Sequence, residues 1–375
     1  MIKNLIKTIL SIFSLRLNKV ATRPITLLGN KPVFKKKLIK DRISDETIDE
    51  IFDFFENIHP FYEGMKISKE LEINGAWLKI LSDTRTKQIK YLKKQEKDNF
   101  KCLLENLFFN ELNRGVWNYQ YYENGKALKT ILPDLFIDEC KIYEKITSLS
   151  VGSLASNEYF DTWGAETESG IVKYPSLNHG IQAFNLMNLI ESFDSQMIVK
   201  VLDLGSGYGG MTEYLLRHKT KMKNNFSLTL VDIPLNLTTA FAYLSRTFSK
   251  EEFILIKSLN DLNALNFDEP KIVLIPSCFI ESIHSNLDIV NNYQSFSEMD
   301  PETVEFYIST LTKRFPKYII ENNVNVTNSE NYSNFKETLV RNFNFPKEYS
   351  LLSRFSAPES WSRYVTSIYS NSNKT

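Results

Sequence analysis

The hydrophobic positions of this chain fall into two regimes. From Ser44 to about Leu149 apolar residues recur at helical spacing, with Ile48, Ile51, Phe52 and Phe55 on one stretch and Leu103, Leu104, Leu107, Phe108 and Leu112 on another. Ser44-Asp45-Glu46-Thr47 offers a cap for the first. Glycine is sparse there and no chemical motif appears, so residues 21–150 are expected to form a mainly helical accessory domain. From Val199 onward short apolar runs alternate with helical stretches, as in a doubly wound α/β sheet. Strands are predicted at 199–204, 227–232, 271–276, 287–292 and 317–321, with helices including 235–248 and 301–314. Asp300-Pro301 is a strong helix start, acid at the N-cap and proline at N1. Phe253-Ile254-Leu255-Ile256 fits either an extra strand or part of a crossover. Two final strands, Tyr349–Leu352 and Tyr364–Tyr369, surround Ala357-Pro358-Glu359-Ser360.

Three further stretches have their own character. In residues 1–20, Asn4, Lys7, Ser11, Ser14 and Asn18 form a polar stripe opposite Ile2, Leu5, Ile6, Ile9, Ile12 and Phe13, which predicts an amphipathic helix. It is too short an apolar run to cross a bilayer, and no small-x-small cleavage site follows. Lys3, Lys7, Arg16 and Lys19 suit an anionic membrane surface, while docking on the protein or on a second copy is the favoured alternative. Residues 21–40 read as a connector with a solvated basic run, Lys35-Lys36-Lys37. Residues 150–180 read as loop, containing Asn157, Asp161, Trp163, Glu166, Glu168, Tyr174, Pro175 and His179, and lead into a helix with Ile181, Phe184, Leu186, Met187 and Ile190.

The densest chemistry lies at Val199-Lys200-Val201-Leu202-Asp203-Leu204-Gly205-Ser206-Gly207-Tyr208-Gly209-Gly210, a strand, a tight glycine turn and the start of a helix. Gly205, Gly207 and Gly210 fit the dinucleotide pattern G-x-G-x-x-G, while Gly205, Gly207 and Gly209 fit the G-x-G-x-G common in S-adenosylmethionine (SAM) binders. Asp203 favours the second reading. A carboxylate at the end of that strand repels a pyrophosphate and attracts the ammonium and sulfonium of SAM. Asp232 ends the next strand, where an acid suits a ribose diol in either class of cofactor.

This stretch resembles motif I of the class I SAM-dependent methyltransferases. Asp232-Ile233-Pro234 and Ser295-Phe296-Ser297-Glu298-Met299-Asp300-Pro301-Glu302 extend the resemblance to the sugar O-methyltransferases with a "GGGYGG" loop, a "DLP"-type second motif and an "SFxEM" motif. Here Ser206 replaces one loop glycine, and the match covers roughly residues 170–370. The resemblance implies a Rossmann-like doubly wound sheet ending in an antiparallel pair, a SAM-dependent domain over 151–375, and SAM contacts from Asp203, Gly205, Ser206, Gly207, Tyr208, Gly209, Asp232 and Ile233. Ser277 and Cys278, after the third strand, are candidates for the adenine edge. The lead-in 151–198 is expected to serve as a lid or wall. The implied activity is O-methylation of a sugar in a glycan or glycosylated metabolite.

Moving a methyl from a sulfonium to a hydroxyl requires alignment and removal of a proton. Glu298, just after the fourth strand, is the first candidate base and His179 the second, ahead of His284 and His218. Gln294, Asn322 and Asn323 are candidate acceptor-binding residues. No cluster has metal-ligand spacing. Composition narrows the partners. Forty-five basic and 45 acidic residues balance, and no Asn/Asp-Pro-Pro-Tyr/Phe pattern follows the fourth strand, so a nucleic-acid substrate is not expected. The chain's 18 tyrosines and 26 phenylalanines suit a sugar or an aromatic acceptor equally. Three scattered cysteines, Cys102, Cys140 and Cys278, make neither a metal nor a redox motif, as expected of a cytoplasmic protein. A methyltransferase with a non-sugar acceptor and a non-catalytic assembly partner are the alternatives.

Overall fold

The computed structural model describes residues 34–37, 43–63, 72–73, 77, 81–82, 85–110, 112, 126–155, 162–249, 252–326, 338–356 and 363–374. The predicted helix over residues 1–20 lies outside them. The N-terminal region opens with strand β1 (Phe34–Lys37) and contributes helices α1 (Asp45–Glu63), α2 (Thr86–Lys93), α3 (Lys97–Glu105) and α4 (Lys126–Thr147). Ser44 caps the start of α1, its Oγ accepting the Thr47 N–H at 3.2 Å.

Two expectations are corrected here. The stretch 21–40 is more than a connector, because β1 lies within it and pairs antiparallel with β2 (Thr162–Thr167), Phe34 facing Ala165 and Lys37 facing Thr162. Residues 150–180 are not loop throughout. They hold a short 3-10 turn at Val151–Leu154, a hairpin of β2 and β3 (Gly170–Val172), and the first turns of α5 (Ser176–Ile190). The hairpin escapes a search for alternation because neighbouring β2 residues Trp163, Gly164 and Ala165 are all buried, so the period of two is lost.

The second region is a mixed α/β unit. Its strands are β4 (Ile198–Leu204), β5 (Asn225–Asp232), β6 (Phe253–Leu255), β7 (Ile272–Pro276), β8 (Ile289–Tyr293), β9 (Tyr318–Val324), β10 (Tyr349–Ser356) and β11 (Tyr364–Asn371). The intervening helices are α6 (Gly210–His218), α7 (Pro234–Thr247), α8 (Leu259–Asn263) and α9 (Pro301–Thr312). The sheet order is β10-β11-β9-β8-β4-β5-β7-β6. Strands β4 to β9 pair in parallel, and β11 inserts antiparallel between β9 and β10. Phe253-Ile254-Leu255 resolves as an edge strand. This is the Rossmann-like doubly wound sheet with an antiparallel final pair. From β4 the chain moves to β5 on one side, and after β7 it crosses back to β8 and β9 on the other; right-handed crossovers in opposite directions lie on opposite faces, so a crevice opens above the carboxyl end of β4.

The buried apolar side chains form one continuous cluster from Ile43 to Tyr369. Helix α1 packs on α7, and α4 on α5. The N-terminal helices therefore share their core with the sheet unit. Among the described residues, no helix is long and apolar enough to cross a membrane.

Candidate active site

A cavity of about 180 Å³ occupies the crevice above β4. Its floor is the glycine turn. Gly205 has φ +78°, and its N–H donates to the Val231 carbonyl at 2.8 Å. A Cβ at Gly205 would stand 2.3 Å from the Ser295 Cβ, so backbone conformation and crowding both demand glycine. The crowding arises because the loop after β8 rests directly on the turn. The third glycine of the G-x-G-x-x-G pattern, Gly210, leaves the space that His179 fills, since a Cβ there would meet His179 Nδ1 at 2.5 Å.

Two carboxylates flank this turn. Asp203 is 2% exposed and accepts the Asn291 side-chain amide at 2.6 Å. Burial pushes its pKa up to about 7, opposed by that amide and reinforced by the charge of Asp232. Asp232 accepts the Gly207 N–H at 2.7 Å on one oxygen, and the Ile233 N–H at 2.7 Å and the Asn236 amide at 3.0 Å on the other. Burial again dominates and raises Asp232 to about 6, while these donors and the Arg85 charge pull it down. Burial thus disfavours the charge on both groups, a cost that a cationic ligand beside Asp203 would relieve.

Glu298, Gln294, Tyr293 and His179 line another part of the same cavity. Glu298 ends a short 3-10 turn, Phe296–Glu298, and its Oε2 accepts the Trp77 indole N–H at 3.0 Å. His179 Nδ1 lies 3.3 Å from the Tyr208 hydroxyl, and its ring meets Tyr208 and Tyr293 edge-on. Desolvation first, and the Lys173 charge second, lower His179 to about 4, so its imidazole is neutral near pH 7. Gln294 has φ +60°, unusual for a residue with a side chain, and its N–H donates to the Asn322 carbonyl at 2.7 Å, beyond the end of the strand.

Below the turn sits a buried ionic cluster. Lys173 Nζ lies 3.6 Å from Glu213, donates to the Tyr243 hydroxyl at 2.7 Å, and stands 4.2 Å from the Phe108 ring centre. Glu213 also pairs with Arg217 and accepts the Tyr243 hydroxyl. Burial lowers Lys173 to about 8 against the pull of Glu213.

Of the residues singled out from sequence, Asp203, Gly205, Ser206, Gly207, Tyr208, Asp232, Ile233, Ser277, Gln294, Glu298 and His179 line the cavity together. Gly209 stands behind it as the N-cap of α6. Cys278 is set back from it. The expectation that Asn322 and Asn323 bind an acceptor is revised. Asn322 donates to Thr366 at 2.9 Å, and Asn323 donates to Asn292 and Glu321, each at 3.0 Å. Asn323 also accepts the Ser297 N–H at 3.2 Å, so it fastens the 295–298 loop to β9 from behind. The roof was only partly foreseen: the lead-in 151–198 supplies His179, but Trp77, Arg85 and Leu112, which come from the N-terminal region, were not singled out as site residues. The Tyr62 hydroxyl, on α1, lies 2.8 Å from Ser277 Oγ at the cavity margin. No local pattern announces Trp77, Arg85 or Tyr62, because their partners lie more than a hundred positions away. Among the described residues, no group of three or more His, Cys, Asp or Glu side chains is arranged to hold a metal ion.

No family model matches the chain. No curated protein sequence matches it either. Among solved structures, it is similar to magnesium protoporphyrin IX methyltransferase from Synechocystis PCC 6803 with bound SAM, at TM-score 0.34 and 10% identity over 52% of this chain and 80% of that one. It is also similar to 1,6-didemethyltoxoflavin-N1-methyltransferase from Burkholderia thailandensis, at TM-score 0.34 and 11% identity over 52% of this chain and 78% of that one. The functional reading below rests on the residues of the cavity.

Proposed function

We propose that the cavity binds SAM and that the chain is a SAM-dependent O-methyltransferase acting on a sugar hydroxyl. The observation that carries the cofactor reading is the pair of buried carboxylates, Asp203 and Asp232, at the carboxyl ends of adjacent strands on either side of a glycine turn. A pyrophosphate there would face two anions, whereas an ammonium and a ribose diol find acceptors. Ser206 adds a buried hydroxyl whose oxygen has no hydrogen-bond partner among the described residues. In this reading Asp203 holds the methionine ammonium, Asp232 the ribose hydroxyls, and Ser277 borders the adenine.

Bound SAM would supply the activated methyl group. The chain's own task is to orient the acceptor oxygen and take its proton. Glu298 is the first candidate base, held in one rotamer by the Trp77 indole. His179, neutral and facing the same space, is the second. The sugar assignment rests on the resemblance of residues 295–302 to the sugar O-methyltransferases. An aromatic hydroxyl is the second reading, favoured by the Trp77, Tyr293 and Tyr208 rings around the cavity. Calorimetry with S-adenosylhomocysteine tests the cofactor: micromolar binding is expected, and tight NADH binding in its place would overturn it. Incubation with labelled SAM and candidate glycans or phenols, with mass spectrometry of the products, tests the acceptor.

A further inference from the structure

Arg85 comes from the N-terminal region, is 4% exposed, and reaches the cavity wall beside Asp232. Its Nη2 donates to Asn236 Oδ1 at 3.1 Å, and the Asn236 amide donates to Asp232 Oδ1 at 3.0 Å. Guanidinium can only donate, so Asn236 must present its oxygen to Arg85 and its NH₂ to Asp232. The amide is thereby fixed in one of its two orientations. Asp232 in turn accepts the Gly207 N–H at 2.7 Å, within the glycine turn. Helix α2 delivers Arg85 because Gln88 is fastened to α7, donating to the Leu235 carbonyl at 2.9 Å and to Thr238 Oγ1 at 3.0 Å.

From this chain of donors we infer that Arg85 is a cofactor-positioning residue supplied by the N-terminal region, acting through Asn236 to aim the Asp232 carboxylate at the ribose diol of the bound nucleoside. The inference rests on the SAM reading of the cavity. Without Arg85 the Asn236 oxygen loses its donor, the amide loses one of its two fixed ends, and the carboxylate is aimed less firmly at the diol. The accessory helices are then part of the cofactor site, and the sheet unit alone binds nucleoside poorly.

The test compares S-adenosylhomocysteine, adenosine, and the dideoxy analogue of adenosine that lacks both ribose hydroxyls, by calorimetry on the full chain. Arg85→Met is expected to weaken the first two about tenfold and to leave the dideoxy analogue unchanged. Asn236→Leu is expected to give the same pattern, and the double variant no further loss, because both lie on one path. Arg85→Lys keeps the charge and the apolar stem, and should recover part of the affinity for adenosine. If Arg85→Met fails to fold, Arg85→Lys carries the same comparison of the two nucleosides. An equal loss for adenosine and its dideoxy analogue would show a merely structural role and overturn the inference, as would unchanged affinity for both. Failure of the unaltered protein to bind S-adenosylhomocysteine at all would instead overturn the SAM reading, and the inference with it.

Discussion

The floor and the roof of the cavity are built by opposite means. The floor is local: one strand, one glycine turn and one helix start, within residues 198–218, fix Asp203 and the turn through backbone conformation. The roof is assembled by side chains that meet across long sequence separations, as Trp77 meets Glu298 and Arg85 meets Asn236. A floor of this kind is paid for in strain and buried charge, and survives single side-chain changes around it. The roof has no continuous backbone behind it, because its contacts join distant segments through side chains.

The largest effect should fall where roof and floor meet. Glu298→Gln keeps size and Trp77 as neighbour but removes the base, and turnover is expected to fall about 10²–10⁴-fold while S-adenosylhomocysteine affinity holds. Normal turnover there together with a large loss in His179→Ala would transfer the role to the histidine.

Next comes the floor itself. Gly205→Ala combines a left-handed φ with a Cβ placed 2.3 Å from Ser295, and should destabilise the fold by about 2–4 kcal/mol. Gly207→Ala, at φ +58° with nothing within 4 Å of the added carbon, should cost only about 1 kcal/mol. Urea unfolding of the two variants side by side checks the contrast, and equal midpoints would break it.

A smaller, graded effect concerns pH. The Asp203 pKa is raised from 3.8 to about 7 in the folded chain, so the folded state holds a proton that the unfolded state has already lost. Its contribution to stability is therefore full below about pH 4 and is lost as pH rises through about 7. Cofactor binding should run the other way, since the ammonium needs the anion: affinity for S-adenosylhomocysteine should rise up to about tenfold per unit as pH climbs toward 7, and level off above it. Asp203→Asn should flatten that rise. Asp232, raised to about 6, would add a second and lower step.

The smallest effect belongs to the margin of the roof. Tyr62→Phe removes one hydroxyl contact with Ser277 and is expected to cost about 0.5–1.5 kcal/mol, read as a faster release of S-adenosylhomocysteine in stopped flow with catalysis otherwise intact.

This contrast also explains what the sequence could and could not disclose. The Asp203-to-Gly210 run and Asp232 were legible because strand, turn and helix start are contiguous, and each residue type there answers a local demand. The parallel strands other than the short edge strand β6 were legible for the same reason, with boundaries moved by one to three residues. The β2–β3 hairpin was not, since burial on both faces of β2 erases the alternation that marks a strand. Arg85 and Trp77 could not be singled out, because on a helical stripe an arginine or tryptophan looks like any surface or core residue until the partner is known. Asn322 and Asn323 misled for a related reason. Amides at a strand end suit a sugar, but Asn323 fastens the neighbouring loop and Asn322 donates to Thr366 on β11.

The contact between Ser295 and Gly205 has a consequence for how such a protein can diversify. In the proposed reading the segment that meets the acceptor stands on the segment that grips the cofactor, with no room for a side chain at Gly205. Drift toward a new acceptor is therefore channelled into Gln294 and Met299, which face the cavity, while Ser295 stays small and Glu298 is kept as the candidate base. A library that varies Gln294 and Met299 and spares the serine should yield folded, cofactor-competent variants far more often than one that varies Ser295 as well.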